Sequence, residues 1–325
     1  MRYYFAPMEG ITTYIYRRCH KKYFKGVDVY FTPFVSPTVH GPFTPRERKD
    51  LLPENNAGVP VVPQVLTNKP EYFLMVEEAC RDFGYQEINL NLGCPSNTVA
   101  KKGRGSGFLS EPYALERFLD TIFEKSRLPI SIKTRIGRYG EDEWEELLDL
   151  FNGYPIKELT VHPRVQQDFY KAPIHWDCFL QSAEKVKAPL CYNGDVNHPA
   201  DFRRVTSGCS YISAVMFGRG LLANPMLLEQ IREEMVCDGQ NPVEESQQFA
   251  GWRAEDKKRF WQFQDELFAA YQEEIGNNVL FKMKELWIYM QNLFPDGDKY
   301  IKKIKKAKNG RDYQEAVQRL KAEEP

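Results

Sequence analysis

One cysteine in this sequence stands in surroundings suited to chemistry. Cys94 lies in Asn89-Leu-Asn-Leu-Gly-Cys94-Pro-Ser96, where a strand-like run gives way to a Gly/Pro turn. Cys80, Cys191 and Cys209 sit in apolar runs instead, where a free cysteine behaves as a small buried hydrophobe. With an ordinary thiol pKa of about 8.5, Cys94 is mostly protonated near neutrality, which suits a proton donor better than a nucleophile. No histidine in the same segment supplies the base that a nucleophilic cysteine needs. Lys133 closes Ile130-Ser-Ile-Lys133, and His162 closes Leu159-Thr-Val-His162. Strand alternation lets both project from the same open end, where a cation can hold a phosphate or a developing anion. Asn193-Gly-Asp195 and Gly218-Arg-Gly220 add backbone N–H groups at two further strand ends, a pattern suited to a phosphate-bearing cofactor.

These residues need a frame that gathers strand ends. Eight β-rich runs recur, at Tyr3–Met8, Val27–Phe34, Val59–Val65, Gln86–Leu92, Ile130–Arg135, Glu158–His162, Pro189–Asn193 and Tyr211–Phe217. Between most of them lie segments with helical spacing, such as Tyr72, Met75, Val76, Ala79 and Cys80, or Trp144, Leu147, Leu148 and Phe151. Alternation of this kind predicts parallel strands joined by crossover helices, and nearly uniform apolar strands fit a sheet covered on both faces. Eight units over about 240 residues predict a (β/α)8 TIM barrel. A doubly wound open sheet would concentrate its Gly-rich turn after the first strand. Here polar or Gly-containing peptides follow almost every strand, and a barrel collects them all on its C-terminal rim.

After a helix reaching about Met235, the stretch from Cys237 to Gln248 reads as a linker, followed by two helical patterns without strand signal. The expected division is a barrel over residues 1–240 and a small helical domain over 241–325. The whole chain of 325 residues has 44 Lys+Arg against 45 Asp+Glu and 42% hydrophobic residues, which excludes disorder. Its formal charge of −1 conceals a partition, because residues 299–321 carry nine Lys and Arg against Asp312 and Glu315. In Ile301-Lys-Lys-Ile-Lys-Lys-Ala307 the apolar positions fall every third residue, leaving the lysines on an outer face. That face is either solvated or turned toward phosphates. No apolar run approaches the roughly 18 residues of a spanning helix, and the N-terminus reaches Pro7 and Glu9 before a signal-like stretch develops. A cytoplasmic monomer is the expectation. Seven cysteines without a CxxC pair predict neither a disulfide framework nor a structural metal site.

Taken together, the peptides resemble the tRNA-dihydrouridine synthases, flavoproteins that reduce the C5–C6 bond of uridine in RNA. The resemblance covers nearly the whole chain. It rests on Ala6-Pro-Met-Glu-Gly10, on Asn89 to Val99 with Lys102 to Leu109, on Lys133-Thr-Arg135, on Val161-His-Pro-Arg164 with Tyr170 and Trp176, on Asn193-Gly-Asp195, and on Val215 to Pro225. Two departures are Pro163, where the family more often has Gly, and the insertion-like Lys101-Lys102-Gly-Arg104. The resemblance implies FMN as cofactor and NADPH as electron donor. It implies that Pro7 and Met8, with the adjoining Glu9, back the flavin ring and that Gln64 meets its pyrimidine edge. Lys133 would sit by N1 and the C2 carbonyl, and His162 near the flavin and its ribityl phosphate. Asn193, Gly194, Asp195, Gly218 and Arg219 would hold the phosphate. On the substrate side, Asn91 and Tyr170 would hydrogen-bond the uracil, beside Arg135. Cys94 would protonate C5 after hydride from flavin N5 reaches C6. Lys302, Lys303, Lys305 and Lys306 would grip tRNA phosphates while the base is drawn out of its stack. A flavin reductase of small molecules and an RNA-binding protein without turnover are the alternatives.

Overall fold

The computed structural model describes residues 1–237 and 252–323. Nine strand segments appear: β1 (Arg2–Phe5), β2 (Val29–Phe31), β3 (Val61–Val62), β4 (Gln64–Val65), β5 (Ile88–Leu92), β6 (Ile130–Gly137), β7 (Leu159–Val165), β8 (Leu190–Tyr192) and β9 (Ile212–Phe217). Their order in the sheet is β3-β2-β1-β9-β8-β7-β6-β5-β4, with every pairing parallel. Only Pro63, which has no N–H, separates β3 from β4. Its carbonyl still accepts from Asn89 N at 2.9 Å, and Val35 carries the pairing past the break by donating to Gln64 O and accepting from Leu66 N. The two pieces therefore act as one strand that meets β2 on one side and β5 on the other. Eight strands close a TIM barrel.

Helices cover the outside because their apolar stripes match the outward residues of the strands. Pro70–Asp82 and Pro112–Lys125 each begin with proline, whose missing N–H costs nothing in a first turn. They bury Phe73, Val76 and Cys80, and Leu115, Phe118, Leu119 and Ile122, with the Phe73 and Phe118 rings edge to face at 6.2 Å. Each such fully buried side chain contributes roughly 1.5–3 kcal/mol.

Inside the barrel the lining divides into two parts. Tyr4, Ala6, Phe31, Val62, Cys191, Ala214 and Met216 form an apolar cluster. Gln64, Asn89 and Ser131 lie side by side in register on β4, β5 and β6, and Asn91 follows Asn89 on the same face of β5. Two peptides expected beyond strand ends lie within strands instead: β6 continues through Arg135 to Gly137, and β7 runs through Pro163 to Val165.

By contacts, the chain divides into two compact units. The first comprises Met1–Gly10, Asp28–Asp195 and Arg203–Gly218, and holds the whole barrel sheet. The second joins Ile11–Val27 and Val196–Phe202 to the chain from Arg219 onward. Within it, Phe263 of the helix Ala254–Ile275 packs edge to face on Phe24 at 5.0 Å and on Tyr16 at 5.8 Å. Phe260, Trp261, Trp287 and Phe294 form its aromatic centre. The expected boundary at 240/241, and the linker reading beyond Cys237, lie outside the described residues. Among those residues no helix is long and apolar enough to cross a membrane, and no cluster of His, Cys, Asp and Glu could hold a metal ion.

Candidate active site

The loop after β5 is fixed by side chains from several elements, which engage the backbone polar groups around its cysteine. Asn91 Oδ1 accepts from Gly93 N at 3.0 Å and Cys94 N at 2.9 Å. Arg135 Nε donates to Gly93 O at 3.0 Å, and Gln166 Nε2 to Pro95 O at 3.0 Å. The Cys94 carbonyl accepts from Ser106 Oγ at 2.7 Å and Ser106 N at 3.2 Å. Gly105 permits that approach: with φ +55, a Cβ there would come within 2.9 Å of the Cys94 oxygen. Burial raises the Cys94 thiol pKa above its usual range, against the opposing effects of the Ser96 N–H, Arg135 and Lys133. Glu9, exposed after β1, adds to the raising. The thiol thus holds its proton at neutral pH.

Alternation along β6 and β7 places Ser131, Lys133 and Arg135, and Thr160, His162 and Arg164, on the inward faces of those strands. Lys133 is partly buried, and its ammonium makes no hydrogen bond or ion pair among the described residues. Burial, and then the neighbouring Arg135, lower its pKa to about 8. Arg135 is fully buried, and it engages three backbone carbonyls as well as the Tyr170 side chain. Besides Gly93 O, it donates to Val165 O at 2.8 Å and Phe169 O at 2.7 Å. Phe169 adopts φ 50, an uncommon conformation for a bulky side chain, and the Arg135 bond helps to hold it. The guanidinium also lies over the Tyr170 ring, 5.2 Å from its centroid. Tyr170 leaves half its surface exposed and meets His162 edge to face at 6.1 Å.

His162 is held neutral, its pKa well below the usual value because of burial and then the charges of Arg135, Lys133 and Arg164. Its Nδ1, 2.6 Å from Asn193 O, must carry the ring proton and donate it to that carbonyl. Nε2 is left as an acceptor, 3.5 Å from Arg164 Nη1. Arg164 is buried and grips the Asp195 carboxylate with both terminal nitrogens. That carboxylate is therefore charge-paired, in a residue with φ 42. The Asn193 side chain ties β8 to β9 through Met216 O at 2.8 Å. A Cβ on Gly194 would meet Ile174 at 2.8 Å, whereas one on Gly218 would lie 3.7 Å from Met8 Sδ. Pro7 and Met8 are half-buried after β1, and Arg219 opens the helix Arg219–Ala223 directly after Gly218.

Gln64 is fully buried and joined to both asparagines of β5, donating to Asn89 Oδ1 and accepting from Asn91 Nδ2, each at 2.7 Å. Gln64 has no exposed surface, so of this group Asn91, 6% exposed, is the one that reaches the opening of the barrel. The Lys133 ammonium and the Asn91 amide are the side-chain donors that this part of the barrel presents. They fit a ligand rich in acceptors and negatively charged.

In the second unit, the helix Asp298–Lys306 buries Tyr300, Ile301 and Ile304. Lys302, Lys303 and Lys306 line an open groove of about 370 Å³ together with Arg319, Asp312 and Glu315. Lys305 turns away from this face and donates to Gln291 Oε1 at 2.9 Å. Three of the four expected lysines are thus brought together. Arg164, Asn89 and Ser131 were detectable as inward positions two residues from His162, Asn91 and Lys133. Gln166 carried no sequence signal, and Ser106 lay in the Lys102–Leu109 peptide without a role, because what both do depends on where the Cys94 loop folds.

The sequence model of the family described as dihydrouridine synthase (Dus) matches residues 4–324. A protein of Staphylococcus epidermidis named probable tRNA-dihydrouridine synthase is 30% identical over 231 residues, 69% of this chain and 70% of its own. One of Bacillus subtilis, named probable tRNA-dihydrouridine synthase 2, is 28% identical over 239 residues, 70% and 71% of the two chains. A solved structure of a morphinone reductase variant in complex with tetrahydroNAD superposes with a TM-score of 0.51 at 12% identity, covering 72% of this chain and 86% of that one. At that identity the likeness concerns the fold alone.

Proposed function

The chain belongs to the dihydrouridine synthase family, and from that premise we propose that it reduces the C5–C6 double bond of a uridine in cytoplasmic tRNA, with FMN at the barrel rim and NADPH as electron donor. The observation that carries this reading is Cys94: a thiol that keeps its proton, on a loop held from four sides, beside an unpartnered lysine. When bound, FMN would supply hydride for C6 of the uracil. Cys94 supplies the proton to C5, leaving a thiolate that Lys133 and Arg135 stabilise through their charge.

The donor set suits FMN. Lys133 would lie against the N1 and C2 edge, where negative charge gathers, and Gln64 would back the pyrimidine edge by holding the Asn91 amide. Backbone N–H groups of Gly194, Asp195, Gly218 and Arg219 would hold the phosphate, with Asn193 fixing the strand ends. His162, neutral, would contribute an acceptor and ring packing, while Pro7, Met8 and Glu9 would border the flavin. Asn91 and Tyr170 would meet the uracil, with Arg135 holding the loops that carry it and the acid.

A base stacked in folded RNA cannot present C5 and C6 to such a pocket, so it must be turned out. Lys302, Lys303 and Lys306 would hold tRNA phosphates during that step, within a C-terminal tRNA-binding region over 241–325. A reductase of small molecules has no use for that groove. The test is to incubate the purified yellow protein and NADPH with unmodified tRNA transcripts and map dihydrouridine by nucleotide. Reduction at a defined uridine supports the proposal. Oxidation of NADPH with a small enone, without any dihydrouridine, would replace it with the small-molecule reading.

A further inference from the structure

The polar part of the barrel interior is one hydrogen-bonded series that runs in a single direction. At the rim, Gly93 N and Cys94 N donate to Asn91 Oδ1. Asn91 Nδ2 donates to Gln64 Oε1 at 2.7 Å, and Gln64 Nε2 to Asn89 Oδ1 at 2.7 Å. Asn89 Nδ2 donates to Ser131 Oγ at 2.9 Å, and the Ser131 hydroxyl to Glu87 Oε1 at 2.6 Å. The second carboxylate oxygen of Glu87 faces Lys157 Nζ at 2.5 Å. The series thus leads from the Cys94 loop to the opposite, N-terminal end of the barrel.

Its two ends have no freedom of direction, whereas its middle does. A backbone N–H can only donate and an ionised carboxylate can only accept, but each amide can be turned by half a rotation and the serine hydroxyl can swing. Gln64, Asn89 and Ser131 are at most 1% exposed, so no bulk water relieves a wrongly turned amide. Turning Gln64 alone would set its NH2 against that of Asn91 and its oxygen against that of Asn89. Reversal must therefore be collective. At the rim it would bring the Asn91 NH2 against the N–H groups of Gly93 and Cys94, and the loop could not keep its position.

We propose that Glu87 is a remote positioning residue: as the acceptor-only end of this series it fixes the amides of Asn89, Gln64 and Asn91, holding the Cys94 loop in place and presenting the Asn91 amide to the bound ligands. It rests on the proposed role of Cys94 as proton donor. Glu87→Gln changes a single terminal atom but alters the logic. Lys157 claims the remaining carbonyl oxygen, the new NH2 faces Ser131, and the hydroxyl swings toward Asn89. Ser131→Ala cuts the series one bond further in.

The test is iodoacetamide alkylation of Cys94 in the flavin-loaded protein, followed by peptide mass as a function of pH, beside kcat and KM for tRNA reduction. Glu87→Gln and Ser131→Ala should each speed Cys94 alkylation about tenfold at pH 7, with its pH midpoint moving down toward that of an ordinary thiol of about 8.5 as the loop loosens. kcat should fall about tenfold, and KM by less than twofold in either direction. The proposal is overturned if Glu87→Gln leaves the alkylation rate and midpoint within twofold of the parent, or if both variants lower thermal stability without moving the midpoint. Should the parent protein form no dihydrouridine, the functional reading fails on its own, while the alkylation comparison still decides the role of Glu87.

Discussion

Replacing Arg135 by leucine separates a clamp from a substrate contact. The guanidinium donates to three carbonyls, of which Val165 O is fully buried and those of Gly93 and Phe169 are partly so. Each buried acceptor left without a partner costs about 1–3 kcal/mol, and water can partly serve the two outer ones, so the loss should be about 3–6 kcal/mol. The lost packing of the guanidinium on Tyr170 adds roughly 0.5–1 kcal/mol. At roughly 2–4 °C per kcal/mol, the midpoint of thermal unfolding should fall by about 7–28 °C. Arg135→Lys should fall between the two, because one ammonium cannot span carbonyls on two loops. Scanning calorimetry of the flavin-loaded protein measures this, with kcat and KM for tRNA alongside. An Arg135→Leu protein within about 1 kcal/mol of the parent, but with a raised KM, would refute the clamp and make Arg135 a substrate contact alone.

Lys133 gives a pH prediction. Its pKa is lowered to about 8, so the unliganded protein loses this charge as pH rises through 8, and FMN affinity should weaken from there by at most about tenfold per pH unit. Fluorescence titration of FMN between pH 7 and 9.5 checks it, and Lys133→Met should flatten the curve. Changing Lys302, Lys303 and Lys306 to alanine should weaken tRNA binding and lower its salt slope by about 2–3, whereas Lys305→Ala should change neither, as filter binding at several salt concentrations would reveal. Glu158 is buried against Tyr4 and Arg2, and burial holds its carboxyl up at about 7 rather than 4.5. A raised carboxyl favours the folded state below its unfolded value and loses that contribution as pH rises through 7. Stability of Glu158→Gln relative to the parent should therefore increase by up to about 3 kcal/mol between pH 4.5 and 8, measurable by urea unfolding.

Much of the barrel was legible because strand and helix periods are local properties. All eight expected runs contain strands, and the break at Pro63 follows from the missing N–H. Alternation put Lys133 and His162 on one side of their strands, but both were expected at strand ends, and β6 and β7 continue past them to Gly137 and Val165. What the sequence hid was how donors are apportioned. Arg135 in a strand-end peptide suggests a free cation, yet its nitrogens serve carbonyls from residues 93, 165 and 169, which only the closed barrel brings together. Asp195 looked like a ligand in its own right until Arg164 claimed its carboxylate. Lys305 belongs to the same charge run as Lys306, but a shift of one residue on a helix turns the side chain by about 100°, toward Gln291. The net charge of −1 averaged over these differences.

Cys94→Ala tests the central claim most directly. In single turnover, the flavin-loaded, NADPH-reduced variant is mixed with unmodified tRNA, and dihydrouridine is mapped while flavin reoxidation is followed by absorbance. The account predicts unchanged flavin content and reduction by NADPH, with dihydrouridine formation slowed at least a hundredfold, the loss expected for a positioned acid. Dihydrouridine formed by Cys94→Ala at the parent rate would contradict it, because the proton for C5 would then come from elsewhere.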